Sequence, residues 1–235
     1  MTILSTFSPV VLGLLCANAV NAGPLGSRAV IPHTSVVGFP ESVPTGIVGQ
    51  VYEAYKPYLD VTSGCVPYPA VDAEGNTSGG LKNAGAENGD CTNSTGQVYV
   101  RGAQHGNYYG VMYAWYMPKD GGAHRHDWEG VIVWLNSGTS TSASNIVQVC
   151  PSAHGDWLCS TGYTLSGTSP LIKYYKNGLS HSCGLTNVIG VQQPMVSWET
   201  LPAAAQNALE TTDFGSGVVP FNNAKFDGNL GKATF

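Results

Sequence analysis

The chain has 235 residues, a formal net charge of −5 and only 11% charged side chains. That length suits one domain, since single β-sandwiches run to ~200–250 residues. Its 10 Lys and Arg are scattered, which leaves no footprint for nucleic acid, and the mild acidity excludes general attraction to anionic lipid.

Residues 1–22 read as a secretory signal peptide: "VVLGLLCANAV" is a short apolar core, and Val20-Asn21-Ala22 offers small residues for cleavage. No stretch reaches the ~18 apolar residues of a membrane span. Residues 23–29, opening with "GPLGS", read as a leader or cloning remnant, leaving 30–235 as a single domain. Val48, Val51, Tyr52 and Tyr55 recur at helical spacing, so a helix is predicted within 45–56, stopped by Pro57.

Residues 60–97 are rich in Gly, Asn, Ser and Asp and predict a long loop, which a Cys65–Cys91 bridge would hold down. Asn76-Thr77-Ser78 and Asn93-Ser94-Thr95 are glycosylation sequons, as fits surface loops of a secreted chain. "YYGVMYAWYMP" alternates in period two, with Val111, Tyr113, Trp115 and Met117 on one face and Met112, Ala114 and Tyr116 on the other. "VIVWL", 131 to 135, is continuously apolar, like a strand covered on both sides. "NIVQV", "PLIKYY" and "NVIGV" supply three more candidate strands. Residues 199–212 predict a helix with Pro202 near its first turn, and "NNAKFDGNLGKA" a short terminal one. Many short strands and few helices predict a mainly β chain, a β-sandwich.

With Cys16 in the signal set aside, a secreted protein would pair Cys65 with Cys91 and Cys150 with Cys159, leaving Cys183 over. No C-x-x-C pair favours zinc.

Charge concentrates in "GGAHRHDWEG", residues 121–130. If the strand carrying "VIVWL" begins near Asp127, then Asp127, Glu129, Val131, Val133 and Leu135 point together, with the two acids at its rim. The preceding strand is expected to end at Met117-Pro118, with Asp120 in the short return. Three carboxylates then converge, and their repulsion raises pKa values unless a cation compensates. Such oxygen clusters suit Ca²⁺ or Mg²⁺ at about 2.0–2.6 Å, with His124 binding directly or holding a coordinated water. Two other readings stay open: an Arg125–carboxylate network that pins a hairpin, and metal-assisted hydrolysis with Glu129 as base. There is no H-E-x-x-H, no G-x-S-x-G elbow and no phosphate-cradling glycine loop.

"AHRHDWE" closely resembles the heptapeptide GHRHDWE of the necrosis- and ethylene-inducing peptide 1-like proteins, cytolysins of plant-associated fungi, oomycetes and bacteria. Only Ala123 departs from it. "CVPYPAV", "TSGGLK", "VMYAWYMPKD", "LETTDFG" and "VPFNNAKFDGNL" extend the resemblance over nearly all of 30–233. The resemblance implies a jelly-roll-like β-sandwich with a few peripheral helices, related in shape to actinoporins and fungal lectins, and a Cys65–Cys91 disulfide. It implies one divalent cation, Ca or Mg, in an exposed acidic cavity. Asp120 and Asp127 would bind it directly and His124 and Glu129 largely through water, with Arg125, His126 and Trp128 in support.

The implied activity is that of a secreted phytotoxic cytolysin without enzymatic turnover. It would bind the glycosylinositol phosphorylceramide head groups of the plant plasma membrane in the host apoplast. Necrosis, ethylene production and immune responses would follow, with residues 110–129 covering the segment read by a host immune receptor. The protein is expected to be a monomer in solution. A non-lytic metal-dependent glycan-binding module or immune trigger, and a metal-assisted hydrolase, are the rival readings.

Three departures carry consequences. Only "GGA" separates Asp120 from His124, where relatives have a longer loop. Ala123 requires a negative φ. The membrane-touching loop, "YYKNGLSHS", keeps His181, assigned to glycan or membrane contact, but has no Trp.

Overall fold

The computed structural model describes residues 28–234. The signal peptide at 1–22 and all but the end of the 23–29 segment lie outside the described residues. The chain opens with β1 (Val30–Ile31), α1 (Ile47–Ala54), β2 (Tyr58–Val61) and β3 (Thr77–Ser78). The central strands follow: β4 (Val98–His105), β5 (Tyr108–Asp120), β6 (His124–Leu135) and β7 (Ile146–Ala153). Then come β8 (Asp156–Trp157), β9 (Leu165–Ser166), β10 (Ser169–Asn177), β11 (Ser180–Leu185) and β12 (Met195–Ser197), before α2 (Ala203–Thr211) and α3 (Phe226–Lys232).

A six-stranded sheet, ordered β12-β4-β5-β6-β7-β8, faces a smaller one ordered β11-β10-β2, with β9 attached to β10. The predicted alternation of β5 holds, and the residues of both its faces are buried. Trp115 pairs with Glu129 and Met117 with Asp127 across β5 and β6, so the acids lie on the Tyr113–Trp115 face. That face looks toward the smaller sheet, whose Tyr174 hydroxyl reaches Asp127. The opposite face is covered by the C-terminal segment. The Trp134 indole donates to the Ala233 carbonyl at 2.7 Å, and Tyr99 stacks on Phe221 at 5.4 Å. Two covered faces explain why "VIVWL" is continuously apolar.

The predicted helices form, with one interruption. Within 199–212, Trp198–Thr200 is a 3₁₀ turn, and α2 starts only after Pro202, because proline bars helical backbone at Leu201 before it. "NVIGV" is not a strand. Val191 bridges Leu59, while Val188 and Ile189 are exposed. A Cβ on Gly190 would lie 2.1 Å from the Leu59 carbonyl oxygen, so at position 190 the chain passes too close to β2 for a side chain. Both expected disulfides are present, Cys65–Cys91 and Cys150–Cys159, and Cys183 is free and buried.

Candidate metal centre

β5 does not stop at Pro118. It runs on to Asp120, which pairs with His124 across the turn at 121–123. Asp120 is therefore a strand residue, not part of the return. The ladder skips the position where Pro118 faces His126. Pro118 has no N–H to give, and its carbonyl accepts instead from Leu81 of the long loop at 2.7 Å. His126 takes a left-handed φ of 59°.

That break in the ladder lies next to the site. In a regular strand, residues three apart face opposite sides. His124 and its partner Asp120 both lie three residues from the Asp127–Met117 pair, and the break at Pro118 and left-handed His126 stands where both come round to the side of Asp127. Asp120, His124 and Asp127 then each offer a ligand atom, all within 4.8 Å of one another. A non-glycine residue in this region costs about 1–3 kcal/mol and persists only where its surroundings hold it. Here the His126 ring contacts the Tyr116 hydroxyl through Nδ1 at 2.6 Å and packs edge-on to Phe214 at 5.2 Å.

Each member of the trio is oriented by a neighbour. His124 donates from Nδ1 to the His126 carbonyl at 2.8 Å. This sets the ring's orientation and places Nε2 3.7 Å from Asp120 Oδ2, the nitrogen a neutral imidazole would offer to a metal. Asp120 receives the His181 backbone N–H at 3.1 Å and its Nδ1 at 2.7 Å. His181 is itself stacked on Tyr174 at 4.8 Å. Asp127 accepts from the Tyr174 hydroxyl at 2.7 Å. Glu129 lies outside the close trio and accepts from the Ser152 hydroxyl and, at 3.4 Å, the Cys183 N–H.

The acids are buried rather than set at an open rim: Asp120 is 1% exposed, Asp127 4% and Glu129 7%. Burial pushes Asp120 upward, but the hydrogen bonds and charge of His181 outweigh it and hold the carboxyl below its ordinary value. Burial, then the charge of Asp120, pushes Asp127 up to about 7. Burial, then Asp127, pushes Glu129 well above the carboxylate range. The alternative network through Arg125 does not form among the described residues. Arg125 donates to the Gly79 carbonyl at 2.7 Å, and among the described residues no Arg or Lys pairs with Asp120, Asp127 or Glu129. Two buried acids with no Arg or Lys partner among the described residues, one of them held by His181, form together with the nearby His124 nitrogen a donor set suited to a hard divalent ion.

Trp128 points to the other face and packs on Tyr99, Tyr116, Phe214 and Phe221, so its part is structural support. β7 pairs with β6 only from Val131 onward. The unpaired margin of β6 opens on a cavity of about 400 Å³, lined by Asp127 and Glu129, by His154 and Trp157 after β7, and by Lys225 and Lys232 from the C-terminal segment.

The sequence profile described as "Necrosis inducing protein (NPP1)" matches residues 49–233. The chain belongs to that family. It is 39% identical over 245 residues to NLP effector protein 1 of Phytophthora capsici, covering 99% of each chain. A solved structure of NLPPya in complex with mannosamine matches at 42% identity and a TM-score of 0.81, over 88% of this chain and 100% of that one. A glucosamine complex of the same protein matches at 43% identity. The non-toxic HaNLP3 protein matches at 35% identity and a TM-score of 0.82, over 86% and 98%.

Two features set how this family member closes its short turn. Ala123 does avoid positive φ, and so do Gly121 and Gly122. The glycines serve close approach instead: a Cβ on Gly121 would lie 2.6 Å from Glu87 Cβ, and one on Gly122 2.4 Å from the Leu179 carbonyl oxygen. His181, assigned by resemblance to glycan or membrane contact, is 2% exposed, while Leu179 at the hairpin tip is 84% exposed. His181 thus acts first as the holder of Asp120. Changing His181 to alanine is expected to weaken calcium binding by ~10–100-fold, the usual effect of losing an outer-shell partner. Calorimetric titration checks this, and unchanged affinity would remove that role.

Sequence spacing gives no sign that Tyr174 and Ser152 orient Asp127 and Glu129. Both come from other strands, and no local spacing ties them to the acids.

Proposed function

We propose that this protein is a secreted cytolysin that holds one divalent cation, Ca or Mg, at Asp120 and Asp127, with His124 beside it and Glu129 acting through water. The site would seat the sugar head group of plant glycosylinositol phosphorylceramide. The observation that carries this reading is the convergence of two buried carboxylates and an oriented imidazole with, among the described residues, no Arg or Lys to neutralise them. When bound, the cation can accept sugar hydroxyls in place of its water. The protein supplies a rigid seat and an adjoining cavity large enough for a sugar. The amino-sugar complexes of NLPPya support a glycan as the ligand.

Secretion to the host apoplast is supported by the two disulfides, which persist in oxidising compartments, and by the apolar segment within 1–22. The immune reading gains a constraint from burial. Most of 110–129 lies inside β5 and β6, so a host receptor would read that segment after its release from the fold.

Dye release from vesicles containing the plant sphingolipid, with and without chelator, tests the function. Leakage that chelator stops is expected. A second reading, a non-lytic glycan-binding module, is favoured by one observation: a non-toxic relative shares the fold at a TM-score of 0.82. Binding without leakage would select it. A hydrolase would leave cleaved sphingolipid, detectable by mass spectrometry; intact lipid is expected.

The site also sets a pH dependence. Asp127 keeps its proton up to a pH of about 7, so a cation entering below that value must displace it. The rise in melting temperature on adding calcium is expected to be larger at pH 7.5 than at pH 5.5. A shift independent of pH would contradict the assignment of Asp127 as a ligand.

A further inference from the structure

We infer that Asn93 carries an N-linked glycan in the secreted protein and that Asn76, the asparagine of the other sequon, does not. The inference rests on the reading that the chain is secreted. It concerns a surface away from the cation site: the hollow beside Asn93 and the cavity at Asp127 share no lining residue.

The two sequons have opposite surroundings. The Asn76 side chain is engaged at both ends. Its Oδ1 accepts the Ala29 N–H at 3.0 Å, and its Nδ2 donates to Asp72 Oδ2 at 2.9 Å. Its sequon partners Thr77 and Ser78 are 4% and 2% exposed and pair as β3 with β1. The Ser78 hydroxyl, the group that completes the sequon, accepts from Tyr116 at 3.0 Å and from the Gly80 N–H at 3.2 Å. Tyr116 in turn contacts His126. A sugar on Asn76 would break into this packing from the β1 side, so a chain modified there would not reach the folded state.

Asn93 is exposed, and its side-chain amide makes no hydrogen bond among the described residues. Its backbone is anchored instead, because Tyr68 donates to the Asn93 carbonyl at 2.9 Å. Ser94 Oγ accepts the Gly96 N–H at 2.9 Å, and Thr95, which completes this sequon, is exposed. The Cys65–Cys91 bridge ends two positions earlier and fixes the segment at the surface. Beside it lies a hollow of about 400 Å³ with Phe39, Tyr68 and Pro69 in its wall, an apolar seat for the face of a first sugar.

The donor required is an oligosaccharide linked to a lipid pyrophosphate, as met on entry to a eukaryotic secretory pathway. The sugar C1–O bond to that pyrophosphate breaks and a C1–N bond to Asn93 Nδ2 forms. The lipid pyrophosphate leaves, and one amide proton passes to a base.

The test uses the full chain secreted from yeast, once behind its own residues 1–22 and once behind a heterologous leader. The secreted protein is treated with a glycan-releasing amidase in heavy-oxygen water and mapped by mass spectrometry. Heavy aspartate is expected at position 93 and unlabelled asparagine at 76. Asn93→Gln should abolish the amidase-sensitive mobility shift, and Asn76→Gln should leave it in place. An unlabelled Asn93 in the secreted protein from either leader, or a labelled Asn76, would overturn the inference. Retention in the cell behind its own leader, with Asn93 labelled behind the other, would refute the secretion reading and leave the glycan assignment standing.

Discussion

Asp127→Ala is expected to weaken calcium binding by more than ~100-fold, beyond the range typical of outer-shell losses, and to abolish chelator-sensitive leakage. Far-ultraviolet circular dichroism should remain that of the parent. Asp127 closes the ligand trio with Asp120 and His124, so its loss removes both a donor and half of the close negative charge. Asp127→Asn separates charge from shape, because the amide oxygen can still accept from the Tyr174 hydroxyl. The sign of its effect on the cation-free fold follows from burial, then the charge of Asp120, which raise Asp127 from 3.8 to about 7. A raised carboxyl favours the folded state while protonated. That contribution is complete below about 3.8 and is lost as pH rises through about 7. Asparagine never ionises, so Asp127→Asn without cation should melt higher than the parent at pH 8, and with calcium it should lose the parent's stabilisation. Full leakage by a folded Asp127→Ala variant would contradict the assignment.

The second large effect concerns the loop across which Cys65 and Cys91 are joined. The bridge spans 26 residues, and constraining a loop of that length in the unfolded chain is worth ~3.5 kcal/mol. Cys65→Ser with Cys91→Ser is expected to lower the melting temperature by about 7–14 °C. The loop also reaches the candidate metal centre. Lys119, beside Asp120, donates to the Ala86 carbonyl at 2.9 Å, Lys176 pairs with Glu87, and Gly121 packs closely on Glu87. Calcium affinity should therefore fall in the double variant even at temperatures where it stays folded. A melting temperature within a degree or two of the parent would show that other contacts hold the loop.

What the sequence made legible was whatever local chemistry enforces. The alternation of 108–118 named both faces of β5, and the acids of "HDWE" could be placed on the inward face because period two leaves them there. The bridges followed from the pairing expected of a secreted chain. Polar strands were missed: β11, "SHSCGL", supplies His181 and the Cys183 N–H, but carries no apolar run to announce it. "NVIGV" erred in the other direction, since β-branched residues suited a strand that a close backbone crossing at Gly190 prevents.

At the site, spacing selected Asp120, His124, Asp127 and Glu129, but neither the means of bringing the first three together nor the place of Glu129 outside the close trio. Their gathering coincides with a left-handed His126 opposite Pro118, a conformation histidine rarely adopts and which tertiary contacts from Tyr116 and Phe214 impose. Burial was hidden for the same reason. The acids looked like a rim because the strands that enclose them, β10 and β11, lie 40 and more residues further along the chain.

The most direct test is a crystal structure of the protein soaked in manganese, with data collected to reveal anomalous scattering. One strong peak bounded by the carboxylate oxygens of Asp120 and Asp127, with His124 Nε2 beside it and Glu129 linked through water, is the expected result. A peak elsewhere, or none at a concentration that supports leakage, would contradict the claim that these buried acids hold the ion.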